Sequence, residues 1–254
     1  MKRYFWFLIL IIGISSCKKT PVQLTRIEGK LIPVDSSVAN SKILDSIIAP
    51  YRDKVDKEMN IVLSYAPESL IKERGTAETN IGNFMADVCY ERGEPIFNKK
   101  TGKHIDFVLL NFGGIRAGIP KGPVTLSSAY EVMPFENSMV VVEMSYPKIQ
   151  ELLNYLAQSG SAHPISKQLH LVFSDAKPVS AKLLGKDLSP KRTYYVLTSD
   201  YLQHGGDRMN FFKNPVSLFN LNYKIRNAII DTFKAKDTIR AVVDGRIIRK
   251  TNQK

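Results

Sequence analysis

The sequence predicts a mixed α/β fold, and three observations predict it. Amphipathic segments at helical spacing alternate with short apolar or β-branched runs, so helices and strands are both expected. The two kinds of segment follow no regular βαβ period and show no internal repeat. No Pro-, Gly- or Ser-rich linker interrupts residues 40–250, so one body is expected there.

Residues 1–16 stand apart from that body. Lys2 and Arg3 give a positive start, and Tyr4 to Ile14 is almost wholly apolar. Ile14-Ser15-Ser16-Cys17 has the small residues before a cysteine expected at a bacterial lipoprotein cleavage site. The apolar run is too short to span a bilayer and reads as a signal peptide, with lipidation expected at Cys17. A plain secretory signal or a short anchor is the alternative. Residues 17–40 read as a polar tether carrying Pro21 and Pro33, and 41–250 as the folded body.

Within the body, residues 43–58 carry Ile43, Ile47 and Ile48 at helical spacing, interrupted by Pro50. Residues 60–66 alternate as a strand. Residues 81–91 form a helix with Ile81, Phe84, Met85 and Val88 on one face, capped by Thr79 or Asn80. Its N-terminus offers free N–H groups to an anion, although an ordinary capped helix explains the same pattern. Residues 104–110 and 138–144 read as strands. Residues 147–159 are a helix that starts at Pro147, ends before Gly160 and buries Ile149, Leu152, Leu153 and Leu156. Strands follow at 168–173 and 192–199, a helix at 223–233 and a strand at 238–243, after which Asp244-Gly245 turns into Arg246-Ile247-Ile248.

Composition narrows the function. The formal charge of +12 becomes +10 once Lys2 and Arg3 are removed with the leader, leaving 254 − 16 = 238 residues. A basic surface suits anionic substrates, an acidic partner or anionic headgroups. A lipoprotein faces away from the cytoplasm, which disfavours nucleic acid as the partner, and none is expected. Cys17 and Cys89 are the two cysteines; with the first lipidated, no intrachain disulfide forms, and Cys89 is expected to be a small core residue.

The loops carry the chemistry. Asn111-Phe112-Gly113-Gly114-Ile115-Arg116 follows an apolar strand, with glycines that let backbone approach a ligand and an arginine suited to phosphate. Pro134-Phe135-Glu136-Asn137 precedes the next strand, and Tyr201-Leu202-Gln203-His204-Gly205-Gly206-Asp207 forms a second glycine-bearing loop. Spacing alone leaves Phe135 open to being a core aromatic and Asp207 to merely closing a turn. With Glu78-Thr79-Asn80-Ile81-Gly82-Asn83-Phe84-Met85-Ala86-Asp87 and Asp244-Gly245-Arg246-Ile247, these loops resemble, in order and spacing over about residues 55–250, the C-terminal domain of the 5′-nucleotidase family. That family also includes bacterial UDP-sugar hydrolases and 2′,3′-cyclic nucleotide phosphodiesterases.

The resemblance implies a four-layer α/β/β/α sandwich and a substrate-binding role. It implies that Asn111 and Arg116 contact the phosphate or ribose, with Gly113 and Gly114 beside them. Phe135 and Tyr201 would stack on the base, Tyr201 standing where the family usually has Phe. Asp207 would accept from the ribose hydroxyls. Arg74, one residue out of the family's register, would stand in for another phosphate-binding arginine. Bond breaking belongs in that family to an N-terminal dinuclear metallophosphatase domain. The four histidines here, His104, His163, His170 and His204, stand outside Asp-x-His, Gly-Asn-His and Gly-His-x-His patterns, and no P-loop or Gly-x-Ser-x-Gly elbow occurs. The expectation is therefore the nucleotide-binding subunit of a two-chain phosphohydrolase. It needs no cofactor of its own and has no catalytic residue, the divalent metals lying on a separate metallophosphatase chain. A surface nucleotide- or nucleoside-binding lipoprotein without hydrolase activity is the alternative. Either would sit in the bacterial cell envelope, held by its lipid.

Overall fold

The computed structural model describes residues 24–250; the leader, Cys17 and the start of the tether lie outside the described residues. The chain divides into two units between Ile48 and Ala49. In the first, residues 24–41 are exposed and form no regular element beyond a turn at 35–38. Helix α1 (Lys42–Met59) begins in the first unit and runs into the second, accommodates Pro50, and has no buried residue. Among the described residues, no helix is long and apolar enough to cross a membrane.

The second unit opens with strand β1 (Val62–Ala66) and helix α2 (Asn80–Thr101). Thr79 caps α2 by accepting from the Gly82 N–H at 3.1 Å, which makes it an ordinary capped helix. Asn80 instead ties down the preceding segment, donating to the Ser69 carbonyl and accepting from the Ile71 N–H. The helix runs ten residues past the expected 91, through Gly93 and Pro95. Packing overrides local propensity here: a Cβ on Gly93 would lie 2.4 Å from the Leu197 side chain, and Phe97 is fully buried between Tyr195 and Phe219.

Strand β2 (Phe107–Val108) is shorter than its apolar run because Leu110 turns to bond the Pro164 carbonyl. Strand β3 (Gly122–Thr125), helix α3 (Leu126–Val132), strand β4 (Ser138–Met144) and helix α4 (Tyr146–Ser159) follow. The last two match their expected spans to within a residue. Then come β5 (Leu169–Ser174), β6 (Lys177–Leu183), β7 (Lys186–Asp187), β8 (Tyr194–Ser199) and the single turn α5 (Asp200–Gln203). Strand β9 (Ser217–Lys224), helix α6 (Ile225–Ala235) and β10 (Ile247–Lys250) complete the unit. Residues 238–243 do not form the expected strand. One bridge joins Thr238 to Tyr65, with the Ile239 N–H donating to the Tyr65 carbonyl, and further on the Val242 carbonyl is taken by the Asn83 side chain.

The architecture is mixed α/β, as expected. One sheet has the order β2-β8-β4-β9, with β2 and β8 parallel and the other pairs antiparallel. Both of its faces are buried, which explains the unbroken apolar run Met139–Val142. Val108, Met139, Val141 and Leu197 join one core with α2, α3 and α6. Phe107, Leu109, Val140, Val142 and Val196 join the other with α4 and the second sheet, β10-β5-β6-β7, whose Leu169, Leu171 and Phe173 point inward. Helices, two sheets and a further helix thus supply the four layers of the sandwich. Cys89 is fully buried, and burial pushes its thiol up to about 12, so it acts as core.

A buried ionic latch joins distant parts of this body. Arg246 is 4% exposed and donates to both carboxylate oxygens of Asp87, at 2.9 and 3.0 Å, to Asp244, and to the Ile165 carbonyl. Asp87 also accepts from the Lys167 N–H, and Glu78 from the Gly245 N–H at 2.6 Å. The pieces around Glu78–Asp87 and Asp244–Ile247 therefore recognise each other. We expect Arg246→Ala to cost about 1–3 kcal/mol in urea unfolding, because it removes the charge-assisted bonds of a buried guanidinium to two partly exposed carboxylates and leaves the Ile165 carbonyl without its donor. Lysine should restore little, lacking the forked geometry. A loss below about 1 kcal/mol, the range of an exposed pair, would show the latch to be dispensable.

Candidate functional site

Strands β2 and β8 lie side by side and parallel, so the segments leaving them emerge together. The antiparallel β4 is entered at that same end, where Met139 pairs with Ser199. The loops carrying Asn111, Phe135 and Tyr201 are thus neighbours by topology. They enclose a cavity of about 290 Å³ lined by Asn111, Gly113, Gly114, Arg116, Phe135, Asn137, Tyr201 and Asp207. Seven of these eight are the residues the sequence singles out; Asn137 is the eighth, and its signal was its place in the Pro134–Asn137 motif.

The first loop is a tight 3-10 turn, Phe112–Gly114, closed by the Gly114 N–H to the Asn111 carbonyl at 3.1 Å. Gly114 must lack a side chain, since a Cβ would sit 2.7 Å from the Asn111 side-chain oxygen. The Asn111 side chain is buried and donates to one Asp207 oxygen at 2.6 Å. The Tyr201 hydroxyl donates to the other at 3.0 Å. Gly206 makes this possible, because a Cβ there would lie 2.4 Å from the Tyr201 ring. Asp207 and Arg208 are both left-handed, with φ of 51° and 62°, a costly pair for residues other than glycine. The Tyr155 hydroxyl holds the Asp207 carbonyl at 2.8 Å.

Phe135 and Tyr201 are 39% and 46% exposed, so each ring is available to a ligand. The Arg116 guanidinium lies over the Phe135 ring, 5.8 Å from its centre. Arg226, which sequence reasoning missed, supports this loop from below. It is buried on α6, pairs with Glu136, donates to the carbonyls of Pro134 at 3.0 Å and Phe135 at 3.3 Å, and covers the Tyr130 ring. No sequence signal marked it, because it reads as one polar residue on an amphipathic helix.

Arg74 is exposed and does not line the cavity. Lys72 stands nearer, donating to the Ile115 carbonyl and covering the Phe112 ring at 4.5 Å. Burial, with Arg116 and Arg74 near it, lowers the pKa of the Lys72 ammonium, so the three cations share a neighbourhood. His204 is exposed, bonded through Nδ1 to the Asp200 carbonyl, and is not a lining residue. Among the described residues, no three His, Cys, Asp or Glu side chains are grouped to hold a metal ion.

The cavity can therefore present two aromatic faces, a carboxylate and a cationic rim to one small ligand. Residues 62–214 match the family described as 5′-nucleotidase, C-terminal domain. The chain belongs to this family. It is 26% identical to the trifunctional nucleotide phosphoesterase YfkN of Bacillus subtilis, over 93% of the chain and 17% of that protein. It is 24% identical to UshA of Escherichia coli, over 73% of the chain and 33% of that protein. The 5′-nucleotidase precursor of Thermus thermophilus superposes with a TM-score of 0.70 at 25% identity, over 84% of the chain and 44% of that structure. The chain thus spans less than half the length of each of these relatives.

One residue behind the turn gives a pH signature. His163 is buried, and its Nδ1 accepts from the Phe112 N–H at 3.3 Å. Burial lowers its pKa from 6.5 to about 4. Below pH 6.5 the unfolded chain binds a proton here that the folded chain refuses until about pH 4. Stability present above pH 6.5 is therefore lost as pH falls towards 4, by about 3 kcal/mol over that window. Thermal unfolding followed from pH 7.5 to 4.5 should show this slope, and His163→Gln should flatten it; equal slopes would exclude His163 as its source.

Proposed function

We propose that this chain is the nucleotide-binding part of a 5′-nucleotidase-type phosphohydrolase whose metal centre is carried by a separate chain. The observation that carries the reading is the meeting of Asn111, Arg116, Phe135, Tyr201 and Asp207 in one cavity of a family member. Phe135 and Tyr201 stack on the base, which any aromatic face can do. Asp207 accepts from the ribose hydroxyls, each of its oxygens keeping acceptor capacity beyond the bonds to Asn111 and Tyr201. Arg116 and Asn111 receive the phosphate side, and Arg74 adds charge at the rim. Divalent metals and the activated water belong to the partner; the absence of metallophosphatase histidine patterns in this sequence motivates placing them there. Lipidation at Cys17 would hold the binding domain at the cell envelope beside that partner.

The clamp is tested by calorimetry with adenosine, AMP and UMP. Phe135→Ala and Tyr201→Ala should each weaken binding by about 1–3 kcal/mol with little change in melting temperature. Tyr201→Phe should lose less, keeping the ring and giving up the tether to Asp207. Unchanged affinities would remove the clamp. For the two-chain reading, the protein should release no phosphate from AMP with Mn²⁺ or Zn²⁺ alone, and should do so when mixed with a metallophosphatase-domain protein that co-purifies with it. Hydrolysis by the isolated chain would overturn that reading, and binding without any such partner would leave the stand-alone nucleotide-binding lipoprotein.

A further inference from the structure

Arg226 directs all its hydrogen bonds at one loop. It stands in the first turn of α6, is 6% exposed, and bonds only residues 133–136. Nη1 donates to the carbonyls of Met133, Pro134 and Phe135, at 3.5, 3.0 and 3.3 Å. Nη2 donates to the Glu136 carboxylate, which Lys224 at the end of β9 also holds. Nε is buried and makes no hydrogen bond, so no other segment shares these donors. Arg246 differs, because its donors join Asp87, Asp244 and Ile165 from three separate segments.

The backbone beside Arg226 adds a further bond. The Ile225 N–H, one of the first-turn donors that a helix leaves free, donates to the Asn137 carbonyl at 3.0 Å. Residues 133–137 form neither helix nor strand, so their carbonyls have no ladder partners of their own. Four of the five are held instead from the start of α6, which Ile225, Ala228, Ile229 and Phe233 fix in the core. The Phe135 ring is half-buried and lines the cavity, so its backbone does much of the work of placing it. Arg226 does not line that cavity and bonds none of Asn111, Tyr201 and Asp207. It therefore acts on the Phe135 side of the site.

The geometry points to Arg226 as a positioning residue that sets the affinity for the base, acting through Phe135. The assignment rests on the nucleotide reading, in which Phe135 stacks on the base. It adds that recognition of the base is separable from recognition of the ribose and phosphate. Lysine does not replace Arg226, because a planar fork serves three carbonyls and a carboxylate while its face covers the Tyr130 ring at 4.3 Å; an ammonium is a single point of charge. Once residues 133–136 loosen, the ring leaves its stacking geometry, and Asn111, Tyr201 and Asp207 keep their bonds.

Calorimetry on the full chain tests this with AMP and with ribose 5-phosphate, which has the sugar and phosphate without the base and is read by competition against AMP. In Arg226→Lys the affinity for AMP should fall about ten-fold, the range of one lost stack, while that for ribose 5-phosphate stays within about two-fold. Partial unfolding lowers both affinities alike, so their ratio separates positioning from loss of structure. Added to Phe135→Ala, Arg226→Lys should cost AMP no further affinity, because it acts through that ring. Glu136 is exposed, so Glu136→Ala carries the same test where the lysine variant does not fold. The ratio should then fall about three-fold, as Nη2 loses its partner. An unchanged ratio in the folded variant, or an additive loss in the double variant, would overturn the role of Arg226 and leave the nucleotide reading standing. An unsubstituted chain that binds no AMP would defeat the nucleotide reading, and the role of Arg226 with it.

Discussion

The site depends on the carboxylate of Asp207. Asn111 and Tyr201, 90 residues apart in the chain, each give it a hydrogen bond, and those bonds tie together the loops that leave β2 and β8. Each is worth only about 0.5–3 kcal/mol net, and Asp207 itself is exposed. Such bonds do not by themselves hold a left-handed Asp207-Arg208 pair. The geometry persists because rigid elements determine its surroundings: Tyr155 on α4 takes the Asp207 carbonyl, and His163 takes the Phe112 N–H from behind the turn. The cavity is therefore held both by residues that line it, Asn111, Tyr201 and Asp207, and by two that do not, Tyr155 and His163.

The same division explains the pieces of sequence shared with the 5′-nucleotidase family. The 111–116, 134–137 and 201–207 loops form the cavity, whereas 78–87 and 244–247 fold against each other through Asp87, Arg246 and Glu78. Both groups use Asp, Arg and Gly, so residue type does not separate them. Engagement does. Arg246 is buried with its donors distributed over Asp87, Asp244 and Ile165, and has nothing left for a ligand. The Arg116 side chain is exposed and, among the described residues, lies over the Phe135 ring face without an ion-pair partner.

How much of this was legible in the sequence follows from whether each signal is local. Helix α4 and strand β4 could be read because their apolar periodicity, Pro147 and Gly160 lie within the segments themselves. The lining residues were legible through motif order. The β6–β7 hairpin was missed because its strands are largely solvent-facing and show little apolar alternation. Strand β9 was missed in part for the same reason, alternating only weakly along an edge. Residues 238–243 carry β-forming side chains, but a strand needs a partner ladder, and the Asn83 side chain takes the carbonyl that would join one. Arg226 and His163 were illegible as site residues because their roles exist only after folding brings 133–135 and 112 against them.

The arrangement of Arg116 over Phe135 bears on how a phosphate would be received. A guanidinium on an exposed ring is held by about 0.5–1 kcal/mol. A charge-assisted bond to a phosphate oxygen is worth about 1.5–3 kcal/mol, and more where the pairing is bidentate. The phosphate therefore wins whenever both contacts cannot be kept. The ring contact is strong enough to hold Arg116 near the cavity and weak enough to be given up. Moving the guanidinium towards the phosphate also uncovers one face of Phe135, the surface a base needs for stacking. Under the proposed nucleotide reading, phosphate capture and base stacking would be coupled through one side chain: a nucleotide would gain both contacts, whereas a nucleoside would displace Arg116 without a phosphate to receive it.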